Sequence, residues 1–195
     1  MAIEPRARYT YQDLVRLFGE EGDGVRRELI DGEMFVTPSP VYPHQRAVRE
    51  LLVALTNWAR QHGGEALSAP FDVFVSDVTV LEPDVLFVSA EHVGSIERRY
   101  LPSPPDLAVE VSSPGTRRRD LGRKKDVYEG FGVPEYWFVD LEARCVEVFR
   151  LERGRYGPPL TLQSGDRLSS PLLPGFDLSV SEVIGPSEAS RAEQA

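Results

Sequence analysis

The chain of 195 residues is 41% hydrophobic and 27% charged, which suits one globular domain with a sizeable core and excludes a fibrous or wholly disordered protein. Its net charge of −9, from 31 acidic and 22 basic side chains, excludes a generally basic nucleic-acid coat protein. No apolar run approaches the roughly 18 residues of a membrane span, Met1 to Arg6 holds no apolar signal segment, and the single Cys145 allows no intramolecular disulfide, so a cytoplasmic protein away from membranes is expected.

In chain order, Thr10 caps a short helix over Tyr11-Gln12-Asp13-Leu14-Val15-Arg16-Leu17-Phe18, and Gly19 stops it. Arg27-Glu28-Leu29-Ile30, Asp31-Gly32 and Glu33-Met34-Phe35-Val36 form a hairpin signature, with Asp-Gly supplying the positive φ values of a tight turn. From Pro43 onward Ala47, Val48, Leu51, Leu52, Leu55, Trp58 and Ala59 recur at helical spacing until Gly63-Gly64. Phe71, Val73 and Val75 alternate as a half-buried strand does.

Asp84-Val85-Leu86-Phe87-Val88 and Asp106-Leu107-Ala108-Val109-Glu110-Val111 are compact apolar runs expected of strands buried on both faces. A helix from Arg117 to Gly130 separates the second of these from another buried-type strand, Glu135 to Asp140. Strand, helix and strand in about 35 residues make a βαβ unit, so part of the sheet is parallel with a right-handed crossover. Cys145 to Arg150 and Gly154 to Tyr156 suggest a closing hairpin. The expectation is a single α/β domain over residues 1–185 and a polar, flexible tail over 186–195.

Acids are disfavoured in strands and rarely buried alone, yet Asp84 opens one central strand and Glu110 sits between Val109 and Val111 in the other. At about 100° per residue from Leu121, the apolar face of the following helix, made by Val127, Tyr128 and Phe131, centres near 305°. Lys124 falls at about 300° in the middle of that face, Asp120 also turns inward, and Arg118 and Arg123 turn toward solvent. An ammonium at the centre of a packing face requires a carboxylate, which Glu110 supplies. Two carboxylates from neighbouring strands with a lysine make a hard-oxygen site for Mg²⁺ or Mn²⁺. Beside it Arg117, Arg118, Arg119, Arg123, Lys124 and Lys125 outnumber Asp120, a local +5 that suits a phosphate backbone.

Other ionisable groups carry weaker signals. His44 lies on the apolar stripe of its helix and reads as a satisfied, partly buried histidine rather than a catalytic one. His62 and His92 make no metal-ligand spacing with Cys145, which reads as a small core hydrophobe. For Asp72, Asp77 and Asp106 strand and turn roles are stronger than membership of the acidic cluster.

Pro83-Asp84, Val109-Glu110-Val111-Ser112-Ser113-Pro114, Arg119-Asp120 with Lys124 and Tyr128, and Gly132-Val133-Pro134-Glu135-Tyr136-Trp137 together resemble the Uma-type endonucleases of the restriction-endonuclease-like, or PD-(D/E)XK, superfamily. The resemblance runs from about Tyr11 to Val183 and is most specific between Pro105 and Asp140. It implies a mixed β-sheet flanked by helices, here with an extra β-hairpin region, divalent-metal-dependent cleavage of DNA, and a homodimer. Asp84 matches the metal-binding aspartate and Glu110 the acidic ligand. The lysine expected two residues after the acid is replaced by Ser112, and Lys124 on the next helix takes its place. Glu28 is similar to a recurring family position and is a candidate extra metal ligand, with Arg117, Arg118, Arg119 and Arg123 as DNA-binding candidates. The alternative is a non-catalytic nucleic-acid- or protein-binding module on the same fold.

Overall fold

Apolar stretches cut short by glycine, proline and acids produce many short strands around a few helices. In the computed structural model, which describes residues 8–19, 24–113 and 115–186, the first half runs α1 (Tyr11–Phe18), β1 (Arg27–Ile30), β2 (Glu33–Val36), α2 (Tyr42–His62), β3 (Glu65–Ser68), β4 (Asp72–Ser76), β5 (Thr79–Leu81), β6 (Val85–Val88), β7 (Tyr100–Leu101) and β8 (Leu107–Val111). The second half runs α3 (Arg117–Arg119), a π-helical turn (Asp120–Lys124), α4 (Lys125–Phe131), β9 (Glu135–Asp140), β10 (Cys145–Glu152), β11 (Arg155–Tyr156), β12 (Leu160–Gln163), β13 (Arg167–Ser170), β14 (Leu173–Ser179) and α5 (Val180–Ile184).

Local chemistry sets the boundaries. Thr10 and Asp13 cap α1 reciprocally, each side chain accepting from the other's backbone N–H. Asp31 at φ 54° and Gly32 at φ 78° make the tight turn between β1 and β2. The expected long helix after β8 is present from Arg117 to Phe131, but its middle is π-helical rather than regular. The tail lies outside the described residues beyond Pro186.

Among the described residues the larger sheet has the order β11-β10-β9-β8-β6-β3, with β12 added on β10, and the smaller has the order β2-β1-β5-β4-β7. β8 and β9 are parallel across the helical crossover, whereas β6 pairs antiparallel with β8, so the sheet is mixed. One face of the large sheet carries Val85, Val109, Val111, Trp137 and Val139, against Ala47, Leu51 and Leu55 of α2. Burying each large aliphatic side chain there contributes about 1.5–3 kcal/mol. Its opposite face, with Ala108, Tyr136 and Phe138, packs against Tyr128 of α4 and against Ile30 and Leu81 of the small sheet. The polar cluster described next lies on that second face.

Candidate active site

Alternate residues of a strand share a face. Val85 pairs with Val109 and both point at α2, so Asp84 and Glu110, one step further along, come side by side on the opposite face. Asp84 is 3% exposed and its Oδ2 accepts from the Val111 N–H at 2.7 Å, which ties the acid to the neighbouring strand. Glu110 is 2% exposed, and its Oε1 accepts from the Tyr128 hydroxyl at 2.6 Å.

Lys124 ends the π-helical turn with its side chain 1% exposed. Its Nζ lies 2.5 Å from Glu110 Oε1 and 2.6 Å from Glu28 Oε1. The hairpin therefore delivers Glu28 to the same lysine that the crossover helix delivers to Glu110. Glu28 Oε1 also accepts from the Glu82 N–H at 3.0 Å, while its Oε2 has no hydrogen bond and lies 3.6 Å from Arg119 Nη2. Asp120 is buried beside them, as its inward place on the helix requires.

Two residues join the site that sequence reasoning did not assign to it. Arg26 places Nη1 2.5 Å from Asp84 Oδ1, Nη2 3.8 Å from Glu110 Oε2 and Nε 3.7 Å from Glu82 Oε2. Arg26 stands immediately before β1, outside the strand, so no strand periodicity marks it. His44 is 7% exposed and sets Nε2 3.2 Å from Asp84 Oδ2, a site acid, while its Nδ1 is buried without a hydrogen bond, so it is only half satisfied. Its place on the apolar stripe of α2 disguised that contact.

The electrostatics follow from burial of more acids than bases. Burial pushes the Glu110 carboxyl up to about 8 despite Lys124, with neighbouring Asp84 adding to the rise. Burial likewise raises Glu82 to about 7 and raises Asp120. Burial would raise Asp84 too, but Arg26 and His44 outweigh it and hold Asp84 well below the usual carboxylate range. Lys124 loses hydration, yet Glu110 and Glu28 outweigh that loss and raise its pKa, so it remains an ammonium at neutral pH.

Among the described residues no group of three or more His, Cys, Asp and Glu side chains converges as a metal cage. Asp84 and Glu110 nevertheless fit Mg²⁺ or Mn²⁺ in chemistry: they are adjacent hard-oxygen donors, and Mg²⁺ commonly uses one or two carboxylates with water and substrate phosphate. The Arg26 guanidinium between them shows that the pair already holds a positive charge.

The basic run is less free than its composition suggests. Arg117 Nε pairs with Asp140 at 2.8 Å, Arg119 reaches toward Glu28 and over Phe35, and Arg123 Nη1 pairs with Glu33 at 2.7 Å. Arg118 is exposed. His92 pairs with Asp106, His62 stacks on Trp58, and Cys145 is buried on β10, so none of them enters the site.

A mixed sheet whose parallel pair is joined by a crossover helix, with buried acids and a lysine at that junction, defines a restriction-endonuclease-like α/β domain. The chain belongs to the Uma2 family, described as "Putative restriction endonuclease", whose model matches residues 10–181. Its fold is similar to the crystal structure of a "putative nuclease belonging to DUF820" from Anabaena variabilis ATCC 29413. The match has a TM-score of 0.70 and 16% identity, and covers 81% of this chain and 89% of that one. No curated protein sequence matches the chain at a significant level. Among the described residues no helix is long and apolar enough to cross a membrane.

Proposed function

We propose that the protein is a divalent-metal-dependent endonuclease that hydrolyses DNA phosphodiester bonds. The observation that carries this reading is the placement of Asp84 and Glu110 side by side with a fully buried Lys124 2.5 Å from Glu110. Asp84 and Glu110 would hold Mg²⁺ or Mn²⁺. Such a cation, when bound, polarises a phosphoryl oxygen and lowers the pKa of water. Lys124 acts as a donor rather than a base, because its neighbours keep it protonated. Of its three N–H groups, Glu28 and Glu110 engage two. The third orients the attacking water or neutralises charge growing on the phosphate. Glu28 positions Lys124 and keeps Oε2, which makes no hydrogen bond, as an extra ligand, Tyr128 orients Glu110, and His44 orients Asp84.

Arg118 supplies exposed charge for the DNA backbone, and Arg117, Arg119 and Arg123 exchange carboxylate partners for phosphate. A homodimer would present two such sites to opposite strands of a duplex. The test is calorimetric titration of Mg²⁺ or Mn²⁺ into wild type and Glu110→Ala, with plasmid nicking by the same samples. Metal binding and metal-dependent nicking by wild type alone are expected. Salt-dependent DNA binding without metal-dependent nicking would replace this reading with the non-catalytic binding module, which the intramolecular pairing of the acids with Arg26 favours.

A further inference from the structure

We infer that Arg26 is a resident cation with two stations, one on Asp84 and Glu110 when no metal is bound and one on Glu82 when the metal takes its place. The inference rests on the metal-binding reading above and adds to it the residue that controls loading. The first station is the arrangement present: one guanidinium reaches Asp84 through Nη1 at 2.5 Å and Glu110 through Nη2 at 3.8 Å, the two acids that would hold the ion. Two cations cannot share that space without strong repulsion. Metal entry therefore requires Arg26 to leave, and a guanidinium whose side chain is only 18% exposed leaves at least cost toward another acceptor.

Glu82 is that acceptor. Its Oε2 and the Arg26 Nε are both buried with no hydrogen-bond partner, and they lie 3.7 Å apart, just beyond bonding distance. A buried polar pair left unmade at that spacing costs stability, and a small shift of Arg26 would make it. The Arg26 Nη2 already donates to the Glu82 carbonyl oxygen, so that contact can serve as the pivot. Room exists on the same side, where Glu82 forms part of the wall of an open cleft of about 450 Å³.

An internal competitor lowers apparent affinity by the fraction of time it vacates the site. Calorimetric titration of Mn²⁺ alone into wild type, Arg26→Gln, Glu82→Gln and Asp84→Asn tests the inference without any cleavage assay. Arg26→Gln should bind Mn²⁺ about tenfold or more tightly than wild type. Glu82→Gln, which keeps the side-chain shape but removes the charge of the second station, should bind several-fold more weakly. If wild type binds Mn²⁺ through Asp84 and neither variant alters its affinity in these directions, the two-station assignment is overturned and the metal site stands. If neither wild type nor Arg26→Gln binds, the inference falls together with the metal reading. If Arg26→Gln does not fold, Glu82→Gln alone decides, and unchanged affinity overturns the assignment.

Discussion

Glu110 and Glu135 are both buried acids on the central parallel pair of strands, but they face opposite sides of the sheet. On the α2 side, Glu135 accepts from Trp137 Nε1 at 2.6 Å and from Ser170 Oγ at 2.8 Å, so both of its oxygens have donors. On the other side Glu110 shares Lys124 with Glu28, and its surroundings include unbonded atoms on Arg26, Glu28, His44 and Glu82. Donor-saturated acids fix a structure. A cluster with acids in excess and unmet hydrogen-bonding capacity is the pattern that the proposed metal-binding role calls for. The first side is bound mainly by hydrocarbon, with an unbonded atom, Arg150 Nε, 3.6 Å from Glu135 Oε2; the second is bound by charges that balance only in part.

That contrast is sharpest at Lys124. Replacement by Ala should abolish nicking and also destabilise the fold by about 3–5 kcal/mol, because it strands two buried carboxylates. Chemical denaturation of the metal-free protein checks the stability loss. Cleavage within twofold of wild type would break the assignment of Lys124 as the site's donor. On the opposite face, Leu51→Ala should cost about 2–5 kcal/mol through a cavity under α2. Its Mn²⁺ affinity should be unchanged, since Leu51 packs only against the apolar side. A Leu51→Ala variant with altered metal binding would show that the two faces are coupled rather than separate.

Smaller effects refine the polar side. Tyr128→Phe removes the hydroxyl that donates to Glu110 at 2.6 Å and should cost about 1–3 kcal/mol. It should slow cleavage without abolishing it, read as a loss in kcat with folding retained. Asp72, on the small sheet, is raised to about 6 by burial, against the hydrogen bond from Tyr11. Its folded pKa exceeds the unfolded value, so its contribution to stability is full below about 4 and is lost as pH rises through about 6. Asp72→Asn should therefore stabilise the protein at pH 7–8 by on the order of 1 kcal/mol, with little change at pH 4. Thermal melts at the two pH values check this, and equal melting shifts at both would refute it.

Much of this was legible in the chain because it depends on local periodicity. Thr10 and Gly19 bound α1, Asp31-Gly32 makes the hairpin, and the stripe from Ala47 to Ala59 makes α2, as their spacing predicts. Lys124 stood out because a charge at the centre of an apolar helix face needs a partner. Short strands such as Thr79–Leu81 and Tyr100–Leu101 were not legible, since two or three residues carry no period and form only where a neighbouring strand supplies the hydrogen bonds. β12 to β14 went unread as well, although Leu168 of β13 and Leu173, Phe176 and Leu178 of β14 are buried in the core between exposed neighbours.

The sequence by itself determined the βαβ unit, the presence of an acid in each of two apolar strands and the inward lysine, because alternation and helical rotation are properties of consecutive residues. That β6 lies beside β8 and so brings those acids together is a matter of sheet pairing. Only the tertiary structure decided that Arg26, His44 and Glu28, between 40 and 84 residues from Asp84 or Glu110 along the chain, close around those acids. Charge pairing across such distances in the chain is decided by which surfaces pack together, and no local spacing records it.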